Sequence, residues 1–151
     1  MSGNTSVVIE EIPHKEQRYP TVGDWTPPTK AKRPVKIRVS KMKDWRYTFL
    51  VAFHELIEYQ LCKQRGITDD EVVDFDVQFE AERAAGLHSK DAEPGDDPRA
   101  PYKKEHQFAT KKEREMAKEL GVSWSAYEKA VLALDMRKKR RKFKKGKGKN
   151  K

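Results

Sequence analysis

Phe53-His54-Glu55-Leu56-Ile57-Glu58-Tyr59 decides how this chain folds, because it sets two carboxylates and an imidazole at the end of an almost charge-free run, Tyr47 to Ile57. A lone carboxylate there gives up hydration without return, so these polar groups need partners. On a helix turning about 100° per residue, Glu58 stands about 40° and Glu55 about 100° round from His54, and all three project from one sector. Phe49, Leu50, Ala52, Phe53, Leu56, Ile57 and Leu61 cover most other directions. The stretch therefore predicts a largely buried helix with one polar wedge. Such a wedge makes either a metal site or a closed hydrogen-bond network.

Working outward, Ser40 or Asp44 caps this helix at its start, and Gly66 stops it after about Arg65. Upstream, Val35-Lys36-Ile37-Arg38-Val39 alternates apolar and basic residues, the pattern of a half-buried strand. Val7-Val8-Ile9 and Arg18-Tyr19-Pro20-Thr21-Val22 are short strand or extended segments, since the prolines around them exclude helix. Downstream, Thr68 and Glu71 form a capping box, with Ile67 and Val72 as its hydrophobic staple, for a second helix of about Asp69 to Ala85. Its apolar stripe is Val72, Phe75 and Phe79, while Asp74, Asp76 and Glu80 read as a solvated face.

Glu93-Pro94-Gly95-Asp96-Asp97-Pro98-Arg99 is turn and loop. A third helix, about Pro101 to Leu120, turns Tyr102, His106, Ala109, Met116 and Leu120 inward. Ser125 and Glu128 give a capping box for a last helix carrying Trp124, Tyr127, Val131 and Leu134. The order of elements predicts an α+β fold, small N-terminal strands followed by a mostly helical bundle around a buried central helix. Residues 1–136 form one domain in this reading, and 137–151 a disordered basic tail.

The formal charge of +9 looks like that of a nucleic-acid binder until it is located. Arg137 to Lys151 holds 11 lysines and arginines and no acid, which leaves 22 basic and 24 acidic residues elsewhere, a net charge of −2. Arg137, Lys138, Lys139, Arg140, Arg141 and Lys142 are the candidate contacts to RNA or DNA, salt-sensitive and without base specificity. A solvated tail is the plainer alternative. One cysteine, Cys62, excludes an internal disulfide. No apolar run approaches the roughly 18 residues of a membrane span, and Met1-Ser2-Gly3-Asn4-Thr5 lacks a basic region followed by an apolar one. The expected location is the cytoplasm, with no membrane partner.

A catalytic zinc site takes three protein ligands and leaves a fourth position open. His54 and Glu58, one turn apart, supply two, and His106 on the core stripe of another helix is the best third. Glu55, beside His54 but off the metal direction, suits a general base. The plainer reading of His106 is a core histidine bonded to a carboxylate such as Glu58, with no metal. His14 and His88 read as ordinary surface, and Trp25, Trp45 and Trp124 as core or rim.

Here the chain resembles the zincin metallopeptidases, whose active-site helix carries HExxH with a catalytic glutamate directly after the first histidine. His54-Glu55-Leu56-Ile57-Glu58 has Glu58 in place of the second histidine. The resemblance runs over roughly Val35 to Glu80 and implies one Zn2+, a peptide or protein substrate, and Asp76 or Glu80 as a further ligand from the following helix. It also implies that the strand Val35 to Val39 lies beside the cleft as an edge that an extended peptide can join. The Glu93 to Asp97 loop and the Glu105-His106 pair resemble small bacteriophage proteins, which would put the chain in a host cytoplasm. Two alternatives stay open: a metal-dependent nuclease with one or two ions, and a non-enzymatic module whose polar wedge is structural.

Overall fold

The computed structural model describes residues 6–28 and 34–134. The basic segment, Arg137 to Lys142 included, lies outside them. The fold is α+β: a three-stranded sheet followed by four helices. The strands are β1 (Val7–Ile12), β2 (Gly23–Thr26) and β3 (Val35–Ser40), and the helices α1 (Trp45–Arg65), α2 (Asp69–Ala84), α3 (Lys103–Glu119) and α4 (124–134 as described). No helix among the described residues is long and apolar enough to cross a membrane.

Strand order is β1-β3-β2, with β1 parallel and β2 antiparallel to β3. The alternating stretch Val35 to Val39 is thus the central strand, with both edges paired, which corrects its expected place as a free edge beside the cleft. Alternation reports which face is buried and says nothing of neighbours in the plane of the sheet. Val35, Ile37 and Val39 are buried, at 1%, 0% and 0% exposure, while Lys36 and Arg38 on the other face reach Glu10 at 3.5 and 3.6 Å. The second strand is Gly23–Thr26, just after the Arg18 to Val22 segment that had read as extended.

Helix α1 starts at Asp44, whose carboxylate accepts the Arg46 N–H at 2.9 Å. It ends in a Schellman motif: Gly66 takes φ +72°, and the Ile67 N–H bonds the Cys62 carbonyl at 2.9 Å. Thr68 and Glu71 close the expected capping box of α2. At α4 the cap is Ser123, whose Oγ accepts from the Ala126 N–H at 3.3 Å, while Glu128 instead takes the Trp124 indole N–H at 2.9 Å. The Ser125–Glu128 box is therefore not formed.

One core joins the sheet to α1 and α2 through Trp25, Ile37, Val39, Leu50, Tyr59 and Phe79. Each such side chain taken fully from water contributes roughly 1.5–3 kcal/mol. Cys62 is a small buried member at 0% exposure. Trp25 meets Tyr59 edge to face at 5.3 Å, so β2 packs directly on α1. On its other flank α1 packs against α3, and there the buried side chains are ionisable.

Candidate metal centre

The inward face of α3 carries Glu105, His106, Ala109, Glu113 and Ala117. Met116 and Leu120, expected on that stripe, are half-buried beside it. Glu105 forms an ion pair with Arg65 at the end of α1. His106 and Glu113 lie two turns apart on one side, facing His54 and Glu58 of α1.

Around Glu58 the groups converge. Its Oε2 stands 3.1 Å from His54 Nε2 and 3.2 Å from His106 Nδ1, and the two imidazole centroids are 4.9 Å apart. All three residues are buried, at 9% exposure or less: His54 8%, Glu58 4%, His106 9%. Their candidate ligand atoms lie within 4.8 Å of one another. Tetrahedral bonds of 2.0–2.1 Å separate neighbouring donors by about 3.3 Å, so the two spacings at Glu58 match a shared ion.

The far atom of every member is also held. His54 Nδ1 meets Glu113 Oε1 at 2.7 Å, His106 Nε2 meets Glu93 Oε2 at 2.9 Å, and Trp25 Nε1 donates to Glu58 Oε1 at 3.1 Å. A carboxylate on one imidazole nitrogen fixes the proton there and turns the other lone pair inward, the usual outer arrangement of metal-bound histidines. In the absence of a metal the same atoms make a charged hydrogen-bond chain. Burial, which lowers an imidazole, is then outweighed by bonds to Glu113 and Glu58 at His54, raising it well above its ordinary range. His106 is pushed up to about 10, burial being outweighed by Glu58 and Glu93. Glu58, despite burial, is brought down to about 2 by His106 and His54. His106 also joins a second, more exposed group with Glu93 and Asp96, where Nε2 stands 3.8 Å from Asp96.

Glu55 lines a cavity of about 310 Å³ between β2, α1, α2, α3, α4 and the 90–95 loop. Its carboxylate makes no hydrogen bond or ion pair among the described residues. Burial, and next the Glu58 carboxylate, push its proton affinity well above the ordinary carboxylate range. A Cβ at Gly23 would lie 2.5 Å from Val51 Cγ1 and 2.9 Å from Glu55 Oε1, so only glycine lets β2 run this close. Likewise a Cβ at Gly95 would fall 2.3 Å from the His106 ring. The loop that brings Gly95 there hangs from Arg83, whose guanidinium donates to the carbonyls of Ser89 at 2.6 Å and Ala92 at 2.5 Å.

Asp76 and Glu80, the implied extra ligands, have other partners. Asp76 is buried, against the expectation of a solvated face, and accepts the hydroxyls of Tyr102 and, at 3.1 Å, Tyr19. Burial moves it up to about 7 against the pull of those hydroxyls. Glu80 pairs with Arg83 at 3.0 Å. His88 stacks on Phe79 at 3.9 Å and bonds Glu82, and His14 bonds Ser40, so both are structural.

Glu113, Glu93 and Trp25 were missed from the sequence. Glu113 had a usable signal, seven residues after His106 and so on the same face of its helix. Glu93 and Trp25 had none, being brought in from 13 and 33 residues away along the chain. No family model, curated protein or solved structure matches this chain.

Proposed function

We propose that this protein is a mononuclear metal-dependent hydrolase of zincin-like design, in which His54 Nε2, Glu58 Oε2 and His106 Nδ1 hold one zinc ion. The observation that carries this reading is the convergence of three buried donors whose other polar atoms are each fixed by a further side chain. Two histidines and a carboxylate form a donor set that suits zinc and leaves a coordination position for water. When bound, the ion supplies Lewis acidity and lowers the pKa of a water toward neutrality.

Glu55 then has the work of a base: it takes the proton of the attacking water and passes it to the leaving nitrogen as the C–N bond of an amide breaks. Its burial and the neighbouring Glu58 carboxylate suit that exchange, because they raise its affinity for a proton. Gly23 keeps the chain of β2 against Glu55, so β2, the outer strand among the described residues, rather than β3, is the strand beside which a peptide would lie. The cavity wall, with ten carboxylates against Arg83 and Lys90, disfavours a polyanionic substrate and so weighs against the nuclease alternative.

Zinc loading of the purified chain followed by metal analysis tests the centre. One equivalent is expected, and His54→Ala should weaken binding by more than about 100-fold, beyond the range for an outer partner. Glu55→Gln should keep the ion and lose hydrolysis of a mixed peptide library. Less than about a tenth of an equivalent after loading would leave the group as a structural hydrogen-bond network.

A further inference from the structure

The cavity concentrates the acidic side chains of the body that builds it. Residues 1–136 carry a net charge of only −2, yet the cavity is lined by ten aspartates and glutamates and only two permanently cationic side chains, Arg83 and Lys90. Arg83 is spent on Glu80 and on two loop carbonyls. Arg18, just outside the lining, is spent on Asp24 and Asp69. With the imidazoles neutral, a divalent ion and Arg18 bring the positive charges to five against ten carboxyl groups.

That deficit is concentrated. Glu58, Glu93 and Glu113 face the histidines, while Asp24, Asp69 and Glu80 face arginines. Glu55 makes no hydrogen bond among the described residues, and Asp76, 7% exposed, is hydrogen-bonded there only by the tyrosine hydroxyls. Tyr19 and Gly23 lie on the same flank, Tyr19 donating to Asp76 and Gly23 leaving room above Glu55. On the open rim, Glu128 is bonded only to the Trp124 indole. A concave, low-dielectric wall of one sign focuses its field and selects ligands of the other.

We propose that the substrates of this centre are peptides carrying lysine or arginine, whose cationic side chain settles on the Tyr19 and Asp76 flank while an adjacent carbonyl faces the metal. This rests on the metal-centre reading for the second half of that statement only. A cation there meets a carboxyl group that, among the described residues, is hydrogen-bonded only by tyrosine hydroxyls, and the ring of Tyr19 offers an apolar surface for its methylene stem.

The test is calorimetric titration of the full-length, zinc-loaded protein at about 0.15 M salt, where surface charge is screened beyond about 8 Å. Three hexapeptides are compared, alike but for a central lysine, norleucine or glutamate. The lysine peptide should bind about tenfold or more tighter than the norleucine peptide, with the glutamate peptide weakest. Asp76→Asn should cut the lysine advantage to about threefold or less with zinc content unchanged, and Glu128→Gln should trim it by a smaller factor. Glu128→Gln alters an exposed side chain and keeps the experiment decisive if Asp76→Asn fails to fold. Equal affinity for lysine and norleucine peptides, no binding of any peptide, or an advantage untouched by the variants would overturn the proposal. Zinc bound with no lysine preference sinks this proposal alone. A lysine preference without zinc sinks the hydrolase reading and keeps the cationic site.

Discussion

Helix α1 is gripped on two flanks by opposite means. Toward β2 it offers Val51 and Tyr59, packed on Gly23 and Trp25 and continuous with the apolar face of β3. Toward α3 it offers His54 and Glu58, almost as buried but ionisable, and met by His106 and Glu113. The first flank gains by leaving water and tolerates small shifts. The second gains only if every proton and lone pair is matched, and one missing partner exposes the full desolvation penalty of the others. A chain seeking stability alone has little reason to build the second kind. The difference between the flanks is therefore the physical case for a site.

The widest separation of the two flanks should come from pH. Without metal, the raised imidazoles stabilise the fold below their ordinary value of 6.5, and that contribution is lost as pH rises through the folded value of His106, about 10. Asp76, raised to about 7, moves the same way between its ordinary value of 3.8 and 7. Glu58, held at about 2, contributes above its ordinary value of 4.5 and loses that as pH falls through 2. A zinc ion bound as proposed would take the place of the two imidazole protons. Its affinity should therefore rise with pH, by up to about 100-fold per unit while both protons must leave. Thermal melts with and without zinc at pH 5 and pH 8 read this directly, and a zinc-induced shift equal at both values would break the assignment of these histidines.

Next in size, Ile37→Ala attacks the apolar flank alone and should cost about 2–5 kcal/mol in denaturant unfolding. Zinc stoichiometry should stay at one, and a variant that lost zinc while folded would show that the flanks are not separable. Glu113→Gln attacks the polar flank alone. It should lower zinc affinity by about 10–100-fold in competition with a chelator while the apo melting point moves less. Smallest is Asp44→Ala, about 1 kcal/mol, which touches the start of α1 and should leave the metal affinity where it was.

The sequence reads well where structure is local. The limits of α1, the capping box of α2 and the buried side of α3 follow from caps and three- to four-residue spacing, which put His54 and Glu58 on one side of α1 and His106 on the inward side of α3. It reads poorly where contacts are long-range. Alternation made Val35 to Val39 a strand but could not show that both of its edges are taken, and nothing near Trp25 announces a bond to Glu58. Ser125 was the expected cap of α4, whereas Ser123 takes that place and Glu128 bonds the Trp124 indole instead of closing a box. Asp76, a ligand only by the resemblance and otherwise expected on a solvated face, is buried against two tyrosine hydroxyls.

The span from Ser89 to Gly95 owes its place over the imidazole of His106 largely to Arg83, a side chain 9% exposed that grips two carbonyls and a carboxylate at once. Only a planar group with several diverging N–H vectors can serve three acceptors lying in different directions, and an ammonium of equal charge cannot. Exchange for lysine, conservative by charge, would act here like cutting a guy-rope: α2 would stand, and the roof of the chamber would sag away from the ring beneath it.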